Sequence, residues 1–255
     1  MVSKQKLKHL TMRDTQQLLQ HSSRWSKQHI RRMRTKMMWG TSFKKAHEWV
    51  LEQVKHIENT KNNFLNLDYH YVLFDFETNG IGHIRDQRAI ELAWVILNRE
   101  CKIIQSKSYY FPYRGDINDH FHSEDVIKSV KSSKSNGKMI LQSFIDDIQT
   151  TLQHDGYIIA HNIEFDLRIL FRECDFHNIY YDFSKKEDRF MCSMKKTILF
   201  CDIKHKYSKQ LKFPTLNELY QKCFLESPTI TLHQAMNDVI VLVDCFRYLK
   251  KKKIL

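Results

Sequence analysis

The sequence predicts an α/β protein whose sheet has an antiparallel portion, preceded by a basic helical extension. Three observations predict it. Runs of β-forming residues come first and in succession, later runs alternate with helical periodicity, and the first 68 residues carry almost no helix breakers. Successive strands pair as neighbours, whereas strands separated by helices cross over within an α/β sheet.

The extension comes first. Residues 1–68 contain no Pro and only Gly40, which with Thr41 and Ser42 forms a helix stop and a new N-cap. Beyond it Phe43, Ala46, Val50, Val54 and Ile57 recur at spacings of three and four, one apolar helix face. Before it Ile30, Met33 and Met37 form a shorter stripe beside Arg31, Arg32, Arg34 and Lys36. Residues 1–68 hold 14 Lys/Arg against 5 Asp/Glu, net +9, while residues 69–255 hold 27 against 24, net +3. Such a basic half fits a polyanion, nucleic acid or an anionic membrane surface. A solvated helical face explains a charge run equally well. The four Asn between Asn59 and Asp68 read as a linker.

From Tyr71 the period changes. Tyr71-Val72-Leu73-Phe74-Asp75-Phe76-Glu77 reads as a strand ending at the turn Asn79-Gly80. Ala89 to Leu97 and Lys102 to Phe111 read as two more, joined by a turn at Asn98 to Cys101. A loop from Pro112 to His122 follows, to which the sequence assigns nothing beyond a surface position. Leu141, Phe144, Ile145, Ile148 and Leu152 mark a helix stopped by Gly156. Tyr157 to Ala160 is a short buried strand, with a helix from about Glu164. Cys192 to Cys201 reads as another strand–helix region, and Pro214 opens a helix through Phe224. The last helix runs from about Gln234 to Lys250, its closing Lys run suited to a helix C-terminus.

Composition narrows the class. A 42% hydrophobic and 12% aromatic share allows a real core and excludes wholesale disorder. No stretch approaches 18 consecutive apolar residues, and the charged start Met1 to Lys8 has no apolar run behind it. A soluble, intracellular protein with no membrane partner is expected. Six cysteines without CxxC or finger spacing argue against structural zinc, and without a signal sequence against a disulfide framework.

The chemistry lies in the acids. Asp75 and Glu77 are two apart on a strand, so both leave the same face. On so apolar a strand they resist burial unless a hard divalent cation offsets their charge, or the strand end has simply reached solvent. Asp166 follows the strand Tyr157–Ala160 where a helix begins, a usual ligand position in α/β sheets. His233 and Asp238 differ by about 140° on a helical wheel, so His233 belongs on the loop and Asp238 in the first turns.

Taken together, Asp75-Phe76-Glu77-Thr78-Asn79-Gly80, His161-Asn162-Ile163-Glu164-Phe165-Asp166 and His233-Gln234-Ala235-Met236-Asn237-Asp238 resemble the three motifs of the DEDDh exonucleases, the DnaQ-like superfamily. Ile90-Glu91-Leu92-Ala93 is similar to that family's second strand, and Lys212 to Tyr220 to the segment before its third motif. The sister DEDDy group has Tyr four residues before the last Asp; here Gln234 stands there. The resemblance covers about residues 70–249. Glu164 departs from it, at a position commonly small or apolar.

The resemblance implies a ribonuclease-H-like mixed β-sheet flanked by helices over residues 69–255, with residues 1–68 as an unexplained basic helical extension. It implies two divalent cations, Mg²⁺ or Mn²⁺, about 4 Å apart. Asp75 would bridge both, Glu77 and Asp238 would complete the site of the attacking water, and Asp166 would serve the second. His233 would be the general base. Thr78, Asn162 and Phe165 would bind substrate, Phe165 by stacking on a base. The implied partner is nucleic acid with a free 3′ end. Three functions remain: a 3′-to-5′ exonuclease on single-stranded or frayed DNA, the same enzyme on RNA, or a silent nucleic-acid-binding scaffold. Intact acids count against the last. Residues 1–68 leave room for gripping substrate or for docking a polymerase or other replication or repair partner.

Overall fold

The computed structural model of the protein describes residues 68–80, 87–120, 122–183, 186–206, 208 and 210–255. The basic helices expected before Asp68, with the Gly40 stop and the Phe43–Ile57 stripe, lie outside the described residues. The chain divides into two units, residues 1–65 with 182–185 and residues 66–181 with 186–255, and every element below belongs to the second.

Three strands come first, β1 (Tyr71–Thr78), β2 (Ala89–Leu97) and β3 (Ile103–Tyr110). Helices α1 (Glu124–Ser132) and α2 (Gly137–Gln153) lead to β4 (Tyr157–Ala160), and α3 (Ile163–Phe176) leads to β5 (Phe190–Cys192). Short helices α4 (Ser193–Lys196) and α5 (Ile198–Cys201) precede α6 (Leu216–Phe224) and α7 (Ala235–Lys251). The sheet order is β3-β2-β1-β4-β5, antiparallel across β3-β2-β1 and parallel across β1-β4-β5. This is the mixed sheet expected from strands in succession followed by strands alternating with helices.

One element was not legible as a helix. α1 begins at Ser123, whose hydroxyl accepts from the Val126 N–H, with Glu124 and Asp125 in its first turn. Only Val126 and Val130 are buried, too short a stripe to stand out by periodicity. The expected helix around Cys192 to Cys201 is divided into α4 and α5 at Thr197. Gly156, the stop after α2, is required for a second reason. A Cβ there would stand 2.3 Å from the His70 carbonyl oxygen, to which Tyr157 N–H also donates.

Alternation along the central strands builds both cores. Tyr71 and Leu73 of β1 pack with Ala93, Val95 and Leu97 of β2, Ile159 of β4, and Ala235, Val239, Leu242, Val243 and Phe246 of α7. Phe74 and Phe76 point the other way, their rings 5.1 and 6.1 Å from that of Phe144 on α2, with Trp94 5.0 Å from the same ring. A helix thus covers each face, and each large apolar side chain so buried contributes about 2 kcal/mol. The parity that puts Tyr71 and Leu73 under α7 also puts Asp75 and Glu77 on that face, toward the start of α7. On β2 the same parity puts Glu91 there, two residues before Ala93, in register opposite Glu77. All six cysteines are free thiols, five of them buried.

Candidate active site

Four of the predicted acids converge from three elements. Asp75, Glu77 and Asp238 offer carboxylate oxygens that all lie within 4.8 Å of one another. Asp166, in the first turn of α3 and 1% exposed, stands beside that group and accepts from the Phe76 N–H at 3.1 Å, between the two acids of β1. Among the described residues, none of the four forms an ion pair with Lys or Arg.

Crowded carboxylates without cations hold their protons. Burial, and then Asp166, Glu77, Asp238 and Glu91, push Asp75 well above the usual carboxylate range. Glu77 is pushed up to about 8 by burial and then by Asp238, Glu91 and Asp166. Asp166 also rises to about 8, burial outweighing the Phe76 N–H that favours its charged form. Burial raises Asp238 too, against hydrogen bonds that favour the anion. A divalent cation would reverse these shifts by favouring every charged form at once.

The start of α7 places His233 as its angular spacing requires. The helix begins at Ala235, so His233 is on the loop, exposed, and Asp238 is in the first turn. Asp238 Oδ2 accepts from the backbone N–H of His233 at 2.7 Å and of Gln234 at 3.2 Å. That leaves Oδ1 for another partner. His233 has φ +69°, left-handed for a side chain with a Cβ, a conformation costing roughly 1–3 kcal/mol that the two hydrogen bonds hold.

The other predicted residues lie on the elements that carry these acids, at the end of β1 and the start of α3. Thr78 ends β1 and is 8% exposed. Asn162 is exposed, left-handed at φ 76°, and caps α3 without a side-chain hydrogen bond. Phe165 is half-buried under the Arg168 guanidinium, 5.7 Å from its centroid. Glu164, the departure from the family pattern, is ion-paired to Lys195 of α4, which balances its added charge. His161 spans its two neighbours, one ring nitrogen 2.9 Å from Ser193 Oγ and the other 2.9 Å from the Pro214 carbonyl.

Two residues here were missed as site residues. Glu91 is 2% exposed and accepts from Ala235 N–H and Ser108 Oγ–H. Its signal was its parity with Ala93, usable only once the register with β1 is known. His122 is 6% exposed, and its Nε2–H donates to the Thr78 carbonyl at 2.7 Å, while its buried Nδ1 has no partner among the described residues. Its loop grips the turn after β1 at further points. Asn118 N–H donates to the Asn79 carbonyl, Asn79 Nδ2 donates to Tyr113 Oη, and the Asn118 side chain fills the space a Cβ on Gly80 would take. The loop assigned only a surface position therefore braces the strand that carries Asp75 and Glu77.

Comparison with known proteins agrees with this geometry. The family model described as exonuclease (RNase_T) matches residues 72–246. No curated protein sequence matches the chain. Among solved structures, exonuclease I, described as suggesting how processivity is achieved, is similar at 15% identity over 72% of this chain and 42% of that one, TM-score 0.53. Escherichia coli exonuclease I with a dA16 oligonucleotide gives 14%, 72%, 42% and 0.52, and an ExoI/SSB-Ct complex gives 14%, 74%, 43% and 0.54. At these identities the likeness shows the fold, a ribonuclease-H-like mixed sheet flanked by helices. The chain spans less than half the length of those chains.

Proposed function

The chain belongs to this exonuclease family, and from that premise we propose that it hydrolyses phosphodiester bonds stepwise from 3′ ends of single-stranded or frayed DNA. The observation that carries the reading is the cluster of Asp75, Glu77 and Asp238, with buried Asp166 beside it and, among the described residues, no Lys or Arg paired to any of the four. Their donor set is all oxygen, which fits Mg²⁺ or Mn²⁺ rather than a soft metal. Asp75, Glu77 and Asp238 would hold one ion, and Asp75 with Asp166 a second. Two such ions supply Lewis acidity toward the phosphate and neutralise charge on the attacking and leaving oxygens.

The chain's own groups do the rest. Asp238 is held with one oxygen on two backbone amides, so its other oxygen is presented in a fixed direction. His233, exposed on its arm beside Asp238, takes the proton from the attacking water at an imidazole nitrogen. Thr78, braced by His122, lies at the terminal sugar, and Asn162 and Phe165 line the pocket, Phe165 offering its ring to a base. Residues 1–68, net +9, would grip the strand; removing them should flatten the salt dependence of binding while sparing turnover of very short substrates. An exonuclease I neighbour is described with an SSB C-terminal segment, a partner type open to this chain as well.

Digestion of 3′- and 5′-labelled DNA and RNA of one sequence, with Mg²⁺, Mn²⁺ or EDTA, tests the reading. Metal-dependent loss from the DNA 3′ end is expected. Faster loss of RNA would reassign the sugar, loss from the 5′ end would reverse the polarity, and binding without cleavage would leave a silent scaffold.

A further inference from the structure

We propose that Glu91 is a positioning residue for the arm that carries His233, acting through the backbone N–H of Ala235; the inference rests on the exonuclease reading. Glu91 occupies an expensive place. It is 2% exposed and in register opposite Glu77 on the face that already gathers Asp75 and Asp238. Like charges on directly opposed strand positions repel, and an apolar residue of similar volume would remove that repulsion. What only an oxygen acceptor supplies there is a partner for Ala235.

That partner matters because of what surrounds it. Ala235 is fully buried at the first position of α7, where N–H groups have no intrahelical acceptor. The N-cap, Gln234, makes no side-chain capping bond. Asp238 takes the N–H groups of His233 and Gln234, and Glu91 Oε2 takes the next one at 3.2 Å. Three consecutive amides are thus fixed by two carboxylates from different elements, α7 and β2. Asp238 alone would tie the arm only to its own helix. Glu91 ties it to the strand paired with β1, and so to Asp75 and Glu77. The second oxygen of Glu91 is held by Ser108 Oγ of β3, which fixes the carboxylate itself. With both oxygens engaged by hydrogen-bond donors, Glu91 is given a positioning role and not that of a metal ligand. It sets the distance between base and ligands.

The test is steady-state kinetics on a labelled single-stranded oligonucleotide with wild type, Glu91→Gln, Glu91→Ala, His233→Ala and the Glu91→Ala/His233→Ala double variant. Displacing a reacting group by about 1 Å costs on the order of 100-fold. Glu91→Ala should therefore lose roughly 10- to 100-fold in kcat with KM within about 3-fold of wild type. Glu91→Gln, which keeps the volume and an oxygen acceptor, should recover to within about 3-fold of wild type. In the His233→Ala background, Glu91→Ala should cost less than about 3-fold more, because both act through one base. An unaltered kcat in Glu91→Ala, losses that multiply in the double variant, or a Gln variant as slow as the Ala variant would each overturn the inference. If Glu91→Ala does not fold, Glu91→Gln still decides, since its loss of activity contradicts an acceptor role. Wild type that cleaves nothing sinks the exonuclease reading; wild type that cleaves, with an unimpaired Glu91→Ala, sinks only this inference.

Discussion

Two sets of buried or half-buried acids share this molecule and are treated oppositely. Glu173 on α3, 1% exposed, receives Arg88 in a two-pronged ion pair at 2.7 and 3.0 Å and the Ala89 N–H at 3.1 Å. Asp147 on α2 receives Lys107 at 2.7 Å and the Trp94 indole N–H at 2.8 Å. Among the described residues, Asp75, Glu77, Asp166 and Asp238 receive backbone amides at most, and no cation. The first set is complete within the protein and ties strands to helices. The second is an arrangement whose repulsion an external cation would relieve. On the proposed reading, an acid in the interior marks the site only where the counter-charge is missing.

Substitutions can break that contrast. The largest effect is expected for Asp75→Asn, which keeps the shape and removes a ligand: a loss of about 10⁴-fold or more in exonuclease kcat, measured on labelled oligonucleotide. The same variant should leave the metal-free protein no less stable, because there the raised Asp75 carboxyl already holds its proton and a neutral amide of the same shape replaces it. Glu173→Ala should do the reverse. Losing an acid that satisfies Arg88 and the Ala89 N–H should cost about 3 kcal/mol in urea unfolding, with kcat of the folded fraction near wild type. Asp147→Asn keeps an oxygen for Trp94 but loses the charge facing Lys107, so about 1–2 kcal/mol is expected in the same measurement. A structural acid whose removal abolished kcat at full stability would erase the distinction.

The same contrast explains what the sequence could disclose. Asp75 and Glu77 were legible because alternation on one strand is a local property, and His233 and Asp238 because five residues on a helix diverge in angle. Glu91 and His122 were not, because their meaning lies in contacts between residues 144 and 44 positions apart. Which strand β2 pairs with, and in what register, decides whether Glu91 meets Glu77 or solvent. Asp166 was legible from its place where a helix begins after Tyr157–Ala160, whereas the role of Glu173 depends on Arg88, which arrives from the segment before β2.

Thermal unfolding during a Mn²⁺ titration, at pH 8 and pH 5, beside Asp75→Asn, tests the metal reading most directly. Glu77 rises from 4.5 to about 8, and Asp166 from 3.8 to about 8, in the metal-free fold. Groups with raised values contribute stability that is complete below their unfolded values and lost as pH rises through about 8. Mn²⁺ needs the ionised carboxylates, so it should stabilise most at pH 8 and little at pH 5. At about 100 times its dissociation constant it adds about 2.7 kcal/mol, or roughly 5–10 °C in a domain of this size. The account predicts that rise for wild type at pH 8 and almost none for Asp75→Asn. An equal shift in the variant, or no shift in wild type, would contradict it.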